Sequence, residues 1–220
     1  MNQPETGVAR LPGSEPFGLM LFTRYPEPGR TKTRLIPHLG PAGAAAVQRQ
    51  MTEHVLAQVQ SAAQRLPLAV EVHFAGGDRS RMQAWLGDRA TYFPQAEGGL
   101  GDRLTAAFRQ SFGWGRPGAI AIGSDCPALG ADHLTAALEA LGRADGVLGP
   151  ATDGGYYLIG LRQLELTLFK DIDWGTDQVL AQTLAAATAQ GLTVELLPPL
   201  TDVDRPEDLP QWEAILARSS

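Results

Sequence analysis

Short apolar runs alternate with helical patterns along nearly the whole chain, and this alternation restricts the folds open to it. Phe17–Thr23 is a continuous apolar run of the kind that forms a fully buried strand. Leu68–Ala75, Thr91–Phe93, Ala119–Ile122, Gly146–Gly149, Tyr156–Leu161 and Val194–Leu197 supply further short strands. Between them, Gly40–Arg65 carries Val47, Met51, Val55 and Val59 at helical spacing. The stretch from Gly98 to about Phe112, with Arg79–Leu86, Asp132–Leu141, Thr176–Gln190 and Pro206–Ala217, reads as further helices. Such alternation predicts a three-layer α/β/α sandwich with a mostly parallel sheet. Gly146–Leu161 breaks the rule, because two strands meet there across too few residues for a crossover helix. The sheet is therefore expected to be mixed. No repeat or linker interrupts the pattern, so residues 17–220 are expected to form one domain behind a disordered polar tail, residues 1–16.

The first strand runs into FTRYPEPGRTKTRL, Phe22 to Leu35, where Arg24, Arg30, Lys32 and Arg34 face a single acid, Glu27. A cationic loop at the carboxyl end of a first strand is where α/β proteins hold phosphate. Lys32 and Lys170 are the chain's two lysines, so a lysine in this loop suggests that a compact point charge is needed. Lys32 is expected to lie exposed until a ligand arrives. The loop lacks the G-x-x-x-x-G-K-[ST] order of a Walker A site, and a solvated basic turn is the plainer reading. The rest of the chain is acidic, with net charge −6 and pI about 5.2. That balance argues against nucleic acid as a partner and favours a small anionic ligand bound locally. Cys126 is the sole cysteine, which excludes an intrachain disulfide and a cysteine-rich metal site. No secretory signal or membrane span is visible, so a soluble cytoplasmic protein is expected.

Several carboxylates converge on the same expected sheet edge. Asp125 follows AIAIGS directly, and Pro127 forces a turn after it. It reads either as a turn cap or as a ligand for Mg²⁺ or Mn²⁺, which needs only one or two carboxylates plus substrate phosphates. Asp202 and Asp204 are two apart, so both can face one site in extended backbone. Asp204 with Glu207 also fits a capping box for the last helix. Asp153 sits in a glycine-flanked turn, where hairpin chemistry is the plain reading. In the functional reading Asp153 is a base or hydroxyl-binder, and Gly154 and Gly155 let a ligand approach the backbone. Gly99 and Gly101, in GGLGDRL, open a helix whose N–H groups can meet a nucleotide. Thr176 is a plausible helix cap, and Trp174 beside it either lines an acceptor pocket or belongs to the core.

Taken in order, FTRYPEPGRTKTRL, GGLGDRL, IGSDCPAL, GPATDGGYYLIGL, WGTDQVL and LTDVDRPEDL resemble an uncharacterised family of glycosyltransferase-A-fold proteins. Some of its members are labelled arsenosugar biosynthesis glycosyltransferases. The resemblance runs from about Gly18 to Leu216. The wider nucleotide-diphospho-sugar transferase superfamily also includes guanylyltransferases of cofactor synthesis. The resemblance implies a metal-dependent glycosyltransferase that uses a nucleotide-sugar donor and a small-molecule acceptor. Lys32 and its neighbouring arginines would hold phosphates, and Asp125 and Asp204 would hold the metal. Asp153 to Tyr156 would face the acceptor. A nucleotidyltransferase that releases pyrophosphate from a nucleoside triphosphate is the alternative, and a non-catalytic nucleotide-binding protein is a third possibility. Gly99 stands where the family usually has an acidic residue, Gly175 where it has Ser, and Arg24 where it has Lys.

Overall fold

The computed structural model describes residues 15–219, so the expected tail lies, up to residue 14, outside the described residues. Seven strands form one sheet in the order β3-β2-β1-β4-β6-β5-β7. They are β1 (Phe17–Arg24), β2 (Leu68–Ala75), β3 (Thr91–Pro94), β4 (Ala119–Gly123), β5 (Gly146–Pro150), β6 (Tyr156–Leu161) and β7 (Val194–Leu196). The helices are α1 (Ile36–Ala63), α2 (Arg79–Leu86), α3 (Leu100–Gly113), α4 (Ala131–Leu141), α5 (Val179–Ala189) and α6 (Leu209–Ser219).

β1 lies parallel to β2 and to β4, and β2 lies parallel to β3. β6 runs antiparallel to both β4 and β5, and β7 is parallel to β5. The sheet is thus mixed, with β6 alone reversed, as the short Gly146–Leu161 connection requires. This topology places the carboxyl ends of β1, β2, β4, β5 and β7 on one edge, together with the start of β6. Every loop with candidate site residues opens onto that edge.

β1 is apolar from Phe17 to Phe22 because both faces of the sheet are covered. Leu19 and Leu21 pack with Val55, Val59, Leu134 and Leu141 beneath α1 and α4. Met20 faces the other side, with Ala121, Ile159 and Phe108, beneath α3. A smaller cluster of Leu35, Met51, Val203, Leu209 and Trp212 joins the cationic loop to the C-terminal segment.

Three boundaries differ from the sequence reading. α1 begins at Ile36 and is interrupted at Gly40, whose φ of +68° precedes Pro41; the expected Gly40–Arg65 helix is its longer part. α5 begins at Val179, because the Thr176 hydroxyl donates to the Asp173 carbonyl and accepts from the Gln178 N–H. Thr176 therefore closes a turn rather than capping the helix. The expected Pro206–Ala217 helix opens as a 3-10 turn, Pro206–Asp208, before α6. Among the described residues no helix is long and apolar enough to cross a membrane.

Candidate active site

Two cavities meet at Asp125. The larger, about 520 Å³, is lined by Arg24, Arg30, Lys32, Arg34 and Arg103 together with Asp125 and Asp204. That volume falls in the ordinary range for ligand pockets.

The loop after β1 is held from below, and its arginines, Arg30 and Arg34, point outward. Gly29 turns the chain at φ +81°, and Leu35 is fully buried in the small cluster. Arg30 pairs with Glu27 at 3.6 Å. Thr31 is buried and donates to Gln48 Oε1 at 3.0 Å. Gln48, on α1, reaches Thr23 at 3.3 Å, Thr52 at 3.1 Å and Ser124 at 3.2 Å through Nε2. One buried amide thus ties the end of β1, the loop and the end of β4 together, forming a polar floor under the cavity. Sequence reasoning missed it, although Gln48 and Thr52 are polar residues at i and i+4 beside Val47 and Met51 on a buried helix face.

Arg103 was also missed. Its Nε donates to the Gly98 carbonyl at 3.1 Å, and its Nη1 donates to Gln95 Oε1 at 3.3 Å. Gln95 is fixed in turn by donating to the Thr23 and His73 carbonyls. The cue lay in GGLGDRL, where attention fell on the glycines. Leu100 and Arg103 face the cavity, whereas Gly99 and Gly101 do not line it. The Gly99 N–H is taken by the Asp102 carboxylate at 2.9 Å. Gly101 is buried, and a Cβ there would lie 2.5 Å from the Phe169 carbonyl and 2.7 Å from Trp174 Nε1. Gly101 thus serves packing and Gly99 the helix start, and neither lines the cavity in which the sequence reading set them against a nucleotide.

Lys32 is not exposed, and that expectation is overturned. Its side chain is 3% exposed, with Nζ 2.9 Å from Asp125 Oδ1 and 3.6 Å from Asp204 Oδ1. It also donates to the Val203 carbonyl at 2.6 Å. Arg34 pairs with the other oxygen of Asp204. Asp204 does not cap the last helix. The Asp208 carboxylate, not Glu207, accepts from the Asp204 and Arg205 N–H groups at 3.1 and 2.8 Å. The Asp204 side chain is thereby left to the site. Asp125 does not spend its carboxylate as a backbone cap either; its carbonyl accepts from Val203 N at 2.8 Å, and its side chain stays 49% exposed.

The second cavity, about 260 Å³, is lined by Asp125, Asp153 and Asp202 with Tyr156, Tyr157, Trp174, Gly155 and Gly175. Trp174 stands edge-on to Tyr156, with centroids 6.2 Å apart. An adjoining acidic cleft adds Asp177, Asp204 and Asp208. Val203 is fully buried, so Asp202 and Asp204 on either side of it turn toward the cavities, as two-residue spacing requires. Burial, then the neighbouring Asp153 charge, raises the Asp202 carboxyl above the ordinary carboxylate range. Burial raises the Tyr156 hydroxyl. Burial, then Asp202 and Asp125, raises the Cys126 thiol, which keeps it protonated and a poor nucleophile.

The Asp153 carboxylate accepts from the Gly155 N–H at 2.9 Å, which is turn chemistry, yet the same side chain borders both acidic cavities. Gly154 lines neither acidic cavity. Its φ is +92°, and a Cβ would lie 2.3 Å from the Asp177 carbonyl, so the glycine admits the neighbouring backbone.

The donor set near Asp125 suits a hard cation that completes its shell with phosphate. Among the described residues, no group of three or more His, Cys, Asp or Glu could hold a metal alone. Two partly exposed carboxylates beside a cationic cavity match the smaller demand of Mg²⁺.

The fold has counterparts among solved structures. A candidate nucleotide-diphospho-sugar transferase from Desulfovibrio desulfuricans G20 is similar at TM-score 0.79 and 28% identity, over 94% of this chain and 98% of that one. CMP:2-keto-3-deoxy-manno-octonic acid synthetase, solved with CTP, is similar at TM-score 0.57 and 14% identity, over 93% of this chain and all (100%) of that one. A 4-diphosphocytidyl-2C-methyl-D-erythritol synthase gives TM-score 0.61 and 11% identity, over 93% and 100% of the two chains. No curated protein matches the sequence. The architecture is that of the nucleotide-diphospho-sugar transferases. The profile of a bacterial family, uncharacterized proteins conserved in bacteria (DUF2064), matches residues 57–176, and the chain belongs to that family.

Proposed function

We propose that the protein is a metal-dependent glycosyltransferase that takes a nucleotide sugar as donor and a small hydroxyl-bearing molecule as acceptor. The observation that carries this reading is the place of Asp125, shared by a cationic cavity and an acidic, aromatic-walled one. A donor bridging them has its phosphates among Arg24, Arg30, Lys32, Arg34 and Arg103 and its sugar toward Trp174 and Tyr156. The fold likeness to nucleotide-binding transferases supports a nucleotide donor.

Asp125 and Asp204 would hold Mg²⁺ or Mn²⁺, which when bound offsets negative charge on the leaving diphosphate. The arginines and Lys32 supply fixed positive charge where that negative charge grows, the largest contribution in most such sites. Asp153, with its carboxylate anchored by Gly155, binds the acceptor hydroxyl and takes its proton as the glycosyl bond forms. Trp174 and Tyr156 provide the apolar wall on which a sugar ring rests.

A second reading is favoured by the cytidylyltransferase likeness and by the number of cations around one cavity. In it the donor is a nucleoside triphosphate and the leaving group is pyrophosphate. Incubating the enzyme with Mg²⁺ or Mn²⁺, each common nucleotide sugar or triphosphate, and a panel of hydroxylated acceptors decides between them. A released nucleoside diphosphate is the expected product. Pyrophosphate would replace this reading with nucleotidyl transfer, and no product from any donor that binds would remove both.

A further inference from the structure

Lys32 occupies a position that a simple phosphate-binding lysine does not need. Its backbone is left-handed at φ +46°, a conformation that costs energy for a residue with a side chain and persists only where its surroundings enforce it. Its side chain is nearly inaccessible, and its ammonium lies between the two carboxylates assigned above to the metal, 2.9 Å from Asp125 and 3.6 Å from Asp204. The third contact, to the Val203 carbonyl, holds the ammonium there from the C-terminal segment. Lys32 also lines the cationic cavity beside Arg24, Arg30, Arg34 and Arg103.

We propose that Lys32 is an internal counter-cation that fills the metal position in the ligand-free protein, so that metal and nucleotide bind as a coupled pair. This rests on the metal-dependent reading above. With the ammonium in place, a divalent cation approaching Asp125 and Asp204 meets like charge at short range and finds its ligands already paired. A diphosphate in the adjoining cavity offers the ammonium a new anionic partner and frees both carboxylates. Each ligand then raises the affinity of the other by the same factor, as linkage requires. The arrangement keeps the site from holding metal without substrate.

The chain's two lysines make the exchange directly observable. Lysine labelled with ¹³C at Cε gives two resonances, and Lys170→Arg, at an exposed position, assigns them. On the full chain, the Lys32 resonance is expected to stay fixed with Mg²⁺ alone to millimolar levels and to move on adding UDP, GDP, CDP or ADP with Mg²⁺. Mn²⁺ binding is measured in parallel on wild type, Lys32→Asn and Lys32→Met. Asn tolerates left-handed backbone, and melting curves confirm that each variant is folded. Both variants are expected to bind Mn²⁺ alone about tenfold tighter than wild type, within the usual range of coupling between two sites. Equal Mn²⁺ affinities, or a Lys32 resonance that nucleotide and Mg²⁺ leave unmoved while both bind, overturn the counter-cation alone. Nucleotide binding with no dependence on Mg²⁺ or Mn²⁺ overturns the metal reading and this inference together, and leaves the transfer reaction to the product assay.

Discussion

The two cavities that meet at Asp125 are built in opposite ways. The cationic one draws four of its five cations from one stretch, the last residue of β1 and the loop after it, supported by a buried Gln48 network and by Leu35. The acidic one is assembled from separate segments: the end of β4, the turn before β6, the Trp174 loop and the stretch after β7. One presents fixed positive charge; the other presents carboxylates and aromatic faces with no Lys or Arg in its wall. In the proposed reading that contrast gives the donor a direction, with phosphates at one end and an uncharged, hydroxyl-rich part at the other. It also implies that damage to one cavity is separable from damage to the other, except at Asp125 and Leu100, which line both.

Asp125→Asn is therefore expected to have the largest effect. It keeps shape but removes the proposed hard-cation ligand and the partner of Lys32. Turnover should fall by roughly 10²-fold or more, and metal-dependent stabilisation by nucleotide should vanish from melting curves. An Asn variant with undiminished metal-dependent affinity would return Asp125 to the role of a turn residue.

Separability is tested by a pair of variants. Arg103→Ala removes a preoriented guanidinium from the cationic wall and should weaken nucleotide binding about tenfold, as loss of a hydrogen bond to a charged group does. Its acceptor KM should stay unchanged. Asp153→Asn should do the reverse, with nucleotide affinity held and turnover with acceptor reduced. Calorimetry with nucleotide, set beside acceptor kinetics, reads both; equal losses on both sides in either variant would merge the cavities into one functional unit.

The contrast also explains what the sequence could and could not disclose. The cationic loop was legible because its charges are contiguous and follow an apolar strand. The place of Asp125 at the sheet edge was legible because it follows an apolar run and a Pro two residues on forces the chain to turn. The mixed sheet followed from a connection too short for a helix. Lys32 misled because its spacing showed the charge but not the partners that cover it, which lie 93 and 172 positions away at Asp125 and Asp204. Gly101 misled because a glycine needed for close packing looks the same as one needed for a ligand. Arg103 lay within a recognised motif, yet only the third dimension shows Gln95 aiming it.

The polar floor offers a smaller test, of stability rather than chemistry. Gln48→Leu removes both ends of a buried amide whose partners Thr23, Thr31, Thr52 and Ser124 remain. Leaving buried hydroxyls short of partners should cost about 1–3 kcal/mol. For a chain of this size that is a fall in Tm of roughly 3–10 °C. Phosphate affinity should fall with it, since the loop loses its anchor. An unchanged Tm would mean that Leu35 and its neighbours hold the loop without the amide.

The smallest effect belongs to a site remote from both cavities, which makes it the control for the comparison. Asp145 precedes β5 at the opposite edge of the sheet and accepts from the Thr193 hydroxyl at 2.7 Å and from its N–H at 2.8 Å. The Thr193 side-chain and then backbone hydrogen bonds lower the Asp145 carboxyl below the ordinary carboxylate range. A carboxyl lowered in the folded state contributes stability that is fully present above its unfolded pKa, about 3.9. That contribution is lost as pH falls through the folded value. Asp145→Asn should melt slightly below wild type at pH 7, and the gap should close as the pH is taken to 3 and below. Nucleotide-induced stabilisation should be identical in the two proteins at neutral pH. A gap that widens on acidification would contradict the lowered carboxyl. A changed nucleotide response would show that the two edges of the sheet are coupled, so that effects at the site edge could no longer be assigned to the cavities alone.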